Sequence, residues 1–367
     1  MNSLKSLDSV LLLCLFSLGL LGVVTLNAAV HYGDVGIWQK QNIYWLLGLV
    51  AFTAVCFIPL RFVALMVWPA YLIALLSLAL IPLIGEVHMG ARRWLDLGPV
   101  QFQPSELMKW ALILLLAHWF ASRDAVRWQD VLPALAFSAV PAALIVIQPD
   151  LGTTLVLLLA ASAMIIAAGF PWRWLAAIVA ASPVALYVLW QNMHQYQKQR
   201  VLTFLDPQSD PLGSGYHVIQ STIAIGSGGI FGKGYLQGTQ GRLHFLPEQH
   251  TDFIFAVLAE EGGLIAVLLL LLLYVVLISR MLVIAANAHT RFGSMLCTGM
   301  ASIFILYVFV NIGMVAGILP VVGVPLPFIS YGGSALLTMM TAMGLVMRVA
   351  IESKGRIPWQ RPGSPYI

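Results

Sequence analysis

Ten apolar runs divide this chain, and their number and length limit its fold more than any other feature. They fall at about Val10–Val30, Ile43–Ile58, Phe62–Ile84, Pro104–Phe120, Val131–Ile147, Leu151–Phe170, Trp174–Trp190, Phe253–Ile278, Met295–Ile318 and Leu326–Met347. Each approaches the roughly 20 residues that an α-helix needs to cross a hydrocarbon core about 30 Å thick. The composition agrees: 60% of residues are hydrophobic and 9% charged, against about 25% charged in soluble domains. The chain therefore reads as an all-α polytopic membrane protein of about ten transmembrane helices. The split between the fifth and sixth runs rests on Gln148, Pro149 and Asp150 alone.

A net charge of +4 and a pI near 9.0 raise the question of nucleic acid. The 19 basic residues are scattered singly between apolar runs and form no stripe, which excludes that reading. Cys14, Cys56 and Cys297 lie inside apolar runs, with no CxxC pair and no ligand spacing. They read as small core residues, implying neither a disulfide nor a metal site. The first run lacks a small-residue cleavage site and is expected to be a retained span.

Basic residues also orient the bundle. With the N-terminus inside, eleven lie on the inner side (Lys5, Arg61, Arg123, Arg127, Arg173, Arg280, Arg291, Arg348, Lys354, Arg356 and Arg361) and only Lys40, Arg92 and Arg93 in short outer loops. Both termini are then cytoplasmic, and the hydrophilic segment Gln191–His250 faces outward. Within it, Tyr216–Ile225 is expected to lie on the membrane surface as an amphipathic helix. The run Gly226–Gly234 (GSGGIFGKG) packs five glycines into nine residues. It fails the phosphate-loop pattern, because Gly234 stands where Ser or Thr is needed.

Charges near a span need a reason. Asp252 stands where the outer segment enters the eighth run. Either it sits in the first turn of a helix capped by Thr251, where the helix dipole favours a carboxylate, or it is a general base at the mouth of a cavity. Glu260 and Glu261 lie deeper and read as structural, paired inside the bundle. Glu106 and Lys109 are three apart on one helix face. They form either an intrahelical ion pair or an anchored cation for an anionic headgroup, to which Arg92 and Arg93 would add planar donors. Asp150 reads first as a cap for the sixth helix. Pro320–Ser334 carries three prolines beside Tyr331 and Ser334. It breaks helix geometry where the backbone must be buried or line a cavity.

The blocks Asp206–Tyr216, Gly226–Gly234, Phe245–Phe255, Gln103–Lys109, Gln148–Thr153 and Pro325–Ser334 resemble the SEDS family (shape, elongation, division and sporulation). The blocks span nearly the whole chain. The resemblance is nearer to the rod-shape branch than to the division branch, which usually carries a longer N-terminal extension. It implies a single SEDS transmembrane domain over residues 1–367, with 191–250 as a large periplasmic loop. The activity implied is that of a peptidoglycan glycosyltransferase of the bacterial inner membrane. Such an enzyme polymerises lipid II into β-1,4 glycan strands on the periplasmic face during elongation and releases undecaprenyl diphosphate.

The family's essential loop carboxylate maps onto Asp252, and its fourth-span acid and base onto Glu106 and Lys109. Arg92, Arg93, Asp150, Lys233 and His250 are the candidate substrate contacts. A divalent cation, Mg or Mn, could serve with Asp252 as a ligand; no organic cofactor is expected. Expected partners are lipid II, the growing strand, membrane lipid, a class B penicillin-binding protein and other elongation-complex proteins, and not nucleic acid. Two rivals remain at this level: a flippase for the lipid-linked precursor, and a noncatalytic scaffold for a partner synthase.

Overall fold

In a computed structural model, the described residues are 7–171 except 32, 89–90, 97–100 and 124–125, isolated positions between 172 and 213, and 214–354 except 243–245 and 247. Most of the expected seventh run (Trp174–Trp190), most of 191–213 and both chain ends lie outside them.

The described helices are α1 (Ser9–Val30), α2 (Val35–Cys56), α3 (Leu60–Ile84), α4 (Pro104–Ala121), α5 (Trp128–Ile147), α6 (Leu151–Ala167), α7 (Ser214–Gly228), α8 (Thr239–Arg242), α9 (Ile254–Ala286), α10 (Arg291–Val315) and α11 (Gly333–Lys354). Six of them, α1, α3, α5, α9, α10 and α11, are long and apolar enough to cross a membrane. Local chemistry explains the starts. Asp8, Asp34, Asp150 and Thr290 each accept a backbone N–H in the first turn of α1, α2, α6 and α10, and α4 opens on Pro104.

Helix α10 lies at the centre, packed against α4, α6, α9 and α11, while α2 lies along α11 and α3 along α4. Large apolar side chains such as Leu13, Leu20, Leu65, Leu72, Leu76 and Leu272 remain exposed. A water-soluble bundle would place polar residues there, so this is the surface expected to meet lipid.

The all-α reading differs from the fold at one place. Between α3 and α4 an antiparallel three-stranded sheet forms from β1 (Glu86–His88), β2 (Ala91–Asp96) and β3 (Gln101–Phe102), in that order. Strands β1 and β3 are too short to leave a period-2 signal, and β2 (ARRWLD) does not alternate.

Helix α9 is also broken, where the sequence read as one apolar run. Gly263 stands at φ 65°, a conformation open mainly to glycine. The break frees backbone groups, and the Gly-rich run takes them up. Lys233 and Gly234 donate to the carbonyls of Glu260 and Glu261 (3.0 and 3.1 Å), and Leu264 and Ile265 donate to those of Gly229 and Ile230 (3.0 and 3.3 Å). The approach is so close that a Cβ on Gly232 would lie 2.0 Å from the Glu261 carbonyl oxygen. Those amides are therefore committed to protein carbonyls rather than to a phosphate.

Glu260 is fully buried and accepts from Lys233 Nζ (2.6 Å), Thr239 N and Oγ1 (2.8 and 2.9 Å) and Gln240 N (3.1 Å). The structural role expected of the two acids is thus observed for Glu260, and Glu261 holds Leu236 N at 3.1 Å. Helix α7 covers the Tyr216–Ile225 segment expected to lie on the membrane surface, and it packs on α9 and α10. Its Ser221 is buried and donates to the Val315 carbonyl at 2.8 Å.

Candidate active site

A cavity of about 130 Å³ opens at the end of the bundle where α4 and α6 begin; its walls include Trp94, Gln103, Glu106, Lys109, Thr153, Asp252, Tyr307, Gly323 and Tyr331. Several chain segments meet there: β2 through Trp94, the start of α4, the start of α6, the Glu248–Phe253 turn and the Val322–Ser334 loop with α10 behind it.

Pro104 starts α4 and puts Glu106 in its first turn. Glu106 and Lys109 are both 3% exposed and form a 2.6 Å ion pair. Lys109 Nζ also donates to the Tyr307 hydroxyl, which in turn donates to Glu106 Oε2 at 3.2 Å. Two charges this deep are tolerable only when paired and hydrogen-bonded. Tyr307 supplies the third corner from α10.

Asp252 precedes α9 rather than sitting in its first turn. The helix starts at Ile254 with Phe253 at the N-cap position and no side-chain cap bond. Thr251, expected as the cap, instead donates to the Glu248 carbonyl at 3.2 Å. The capping explanation for Asp252 therefore fails, and its side chain faces the cavity. Burial pushes its pKa up to about 6, with the nearby Glu248 and Asp150 charges adding to the rise. A carboxylate titrating there is poised to accept a proton near neutral pH. Gly323 makes room for it: φ is +67°, and a Cβ would lie 3.3 Å from Asp252 Oδ2.

The remaining candidates divide into two groups. Asp150 caps α6, its Oδ1 accepting from Thr153 N (3.1 Å) and its Oδ2 from Thr153 Oγ1 (2.9 Å) and Gln103 Nε2 (3.4 Å). It borders the cavity through Thr153 and Gln103. His250 lies just behind, its ring 5.9 Å from that of Tyr331. Arg93 donates to the carbonyls of Gln148 and Pro149, which fastens the turn bearing Asp150. Arg92 donates to the Pro82 carbonyl at 3.1 Å, and Lys233 is engaged by Glu260; neither lines the cavity. Sequence reasoning missed Tyr307, Asn311 and Trp94. Tyr307 and Asn311 could have been flagged as polar side chains four apart in an apolar run.

For the divalent cation the fit is poor. Among the described residues no three His, Cys, Asp or Glu side chains come together as a ligand set.

Residues 5–355 match the family model FTSW_RODA_SPOVE, described as "Cell cycle protein". The peptidoglycan glycosyltransferase MrdB of Escherichia coli K12 is 46% identical over 351 residues, covering 95% of this chain and 94% of that protein. A probable peptidoglycan glycosyltransferase FtsW of Coxiella burnetii is 36% identical, covering 95% and 97%. Among solved structures, a chain from work on the structural coordination of polymerization and crosslinking by a peptidoglycan synthase complex superposes with a TM-score of 0.84 at 36% identity, covering 95% and 99%. The Thermus thermophilus rod shape determining protein RodA superposes with a TM-score of 0.71 at 31% identity, covering 94% and 96%.

Proposed function

The chain belongs to the FTSW_RODA_SPOVE family of cell cycle proteins, and on that premise we propose that it is a peptidoglycan glycosyltransferase that polymerises lipid II. The observation that carries the mechanism is one cavity lined by both Asp252 and the Glu106–Lys109 pair. Asp252 takes the proton from the acceptor's sugar 4-hydroxyl as that oxygen attacks the anomeric carbon of the donor. The bond to the diphosphate breaks, and the α-linked donor becomes a β-1,4 linkage by direct displacement. The leaving undecaprenyl diphosphate needs charge stabilisation more than a strong acid. Lys109, held by Glu106 and Tyr307, supplies a preorganised positive charge for it. A retaining route would need a second, well-placed carboxylate, and Glu106 is engaged with Lys109 and Tyr307.

We place the cavity on the periplasmic face of the bacterial inner membrane, with about ten spans, both termini cytoplasmic and 191–250 as a periplasmic loop in a single transmembrane domain. The asymmetry of basic residues supports this. So do the ion pairs Asp8–Arg280 and Arg348–Glu352, which lie at the start of α1 and the ends of α9 and α11, away from the cavity. Arg92, Arg93, Asp150 and His250 stand at or near the cavity end, where the lipid-linked donor's headgroup would lie. A class B penicillin-binding protein is the proposed partner, supported by the similarity to a chain of a peptidoglycan synthase complex.

The test is purified protein, with the partner present, supplied with lipid II in detergent. Glycan polymer is the expected product, because only an enzyme makes it without a second compartment. If no polymer forms while the protein moves lipid II across vesicle membranes, the flippase reading replaces this one.

A further inference from the structure

Three consecutive backbone carbonyls lead up to the Asp252 side chain, and each is held by a donor from α10 or the loop before α11. Tyr331 N donates to the His250 carbonyl at 2.9 Å. Ser330 Oγ donates to the Thr251 carbonyl at 2.6 Å and itself accepts from Leu326 N at 2.8 Å. Asn311 Nδ2 donates to the carbonyls of both Asp252 (3.0 Å) and Val324 (2.7 Å). Gln41 of α2 fastens the same loop from behind, its Nε2 donating to the Ser330 carbonyl at 3.2 Å.

Asn311 is a costly residue for its place. It is fully buried in an apolar helix, and its Oδ1 has no hydrogen-bond partner among the described residues. Such an unpaired buried oxygen calls for an explanation. The amide orientation is dictated, since turning it over would set Oδ1 against two carbonyl oxygens. What the side chain contributes is the bridge that its NH₂ group makes between the Asp252 and Val324 carbonyls. Tyr307 stands one helical turn away on the same face and touches the Lys109–Glu106 pair. One face of α10 thus grips both halves of the cavity.

We propose that Asn311 and Ser330 are positioning residues for glycosyl transfer, holding the Thr251–Asp252 backbone so that the Asp252 carboxylate is presented at a set place opposite Lys109. Neither side chain lines the cavity, so both act through Asp252. The inference rests on the polymerase reading above.

The experiment compares purified wild type, Asn311→Leu, Asn311→Gln, Ser330→Ala and Asp252→Asn for glycan polymer formed from lipid II, with kcat and KM separated and folding checked by thermal melting in detergent. A misplacement of about 1 Å can cost on the order of 100-fold in rate. Asn311→Leu, which keeps the branching of the side chain and loses the donors, should therefore lower kcat at least about tenfold with KM within about threefold. Asn311→Gln keeps the amide and should recover much of the loss. Ser330→Ala should lower kcat in the same sense, and it carries the test if Asn311→Leu does not fold. A folded Asn311→Leu, or failing that Ser330→Ala, overturns the proposal if its kcat stays near wild type or its loss appears only in KM. So does Asn311→Gln if it is no better than Asn311→Leu. Asp252→Asn separates the two readings. If it still polymerises, the general-base mechanism has failed. If it is inactive while the positioning variants behave as wild type, only the present inference has.

Discussion

Lys109 Nζ and Glu106 Oε1 lie 2.6 Å apart, three residues apart on α4, with both side chains almost wholly withdrawn from solvent. Taken alone the pair would be a device for burying two charges. Its position in the wall of the cavity that also holds Asp252 makes the cation available to a ligand.

The first prediction separates those two roles. Lys109→Ala should abolish polymerisation while the protein still reaches the membrane folded. If Lys109 serves only to neutralise Glu106, then Lys109→Ala combined with Glu106→Ala should regain activity. We expect the double variant to remain inactive, and glycan polymer from it at wild-type rates would reject the substrate-contact role.

Tyr307 offers a milder perturbation. Tyr307→Phe removes one hydroxyl that accepts from Lys109 and donates to Glu106. Leaving buried partners short of a hydrogen bond typically costs about 1–3 kcal/mol. We expect a lower melting temperature and a kcat reduced about tenfold if the same order of energy is lost from the transition state. Unchanged kcat in the folded variant would show that the ammonium keeps its place without the hydroxyl.

Asp252 gives a pH signature. Its pKa is raised from 3.8 to about 6, and the base form is the ionised one. Activity should therefore rise as pH increases through about 6 and fall away below it. The sign for stability is opposite. The folded state holds the proton more tightly than the unfolded chain, so ionising Asp252 costs stability as pH rises from about 4 to 6. Asp252→Asn should thus remove catalysis yet melt higher than wild type at pH 7–8, with the difference shrinking toward pH 4. Polymerisation by Asp252→Asn within about threefold of wild type, where general-base loss typically costs 10²–10⁴-fold, would end the catalytic assignment.

Lys233 tests the Gly-rich turn. It is paired with Glu260, away from the cavity. Lys233→Ala should lower the melting temperature, because a buried carboxylate loses its counter-charge. Both kcat and KM per folded molecule should stay within about threefold of wild type. A large rise in KM for lipid II without loss of stability would return Lys233 to the substrate contacts.

Much of this was legible in the residues themselves. The apolar runs announced helices because lipid leaves a backbone no other partner; α1, α3, α4 and α10 lie close to where those runs do. Glu106 and Lys109 could be paired from their spacing, and Asp150 could be read as a cap, since both are facts of one helix turn. Of the two alternatives for Asp252, the first-turn one failed for a physical reason. The chain turns at Glu248–Phe253 because its carbonyls are claimed by Tyr331, Ser330 and Asn311, none of which is near in sequence. The break at Gly263 escaped notice likewise, as its freed backbone groups are satisfied by residues 229–234.

The sequence alone determined that the chain builds apolar helices and which charged residues demand an explanation, because periodicity, hydropathy and capping act within a few residues. Only the tertiary structure decided which of those charges share a cavity. That depends on α10, whose Tyr307 and Asn311 reach α4 on one side and the Asp252 turn on the other. Packing across some 200 residues of chain, between Glu106 and Tyr307, leaves no local pattern for a sequence reading to find.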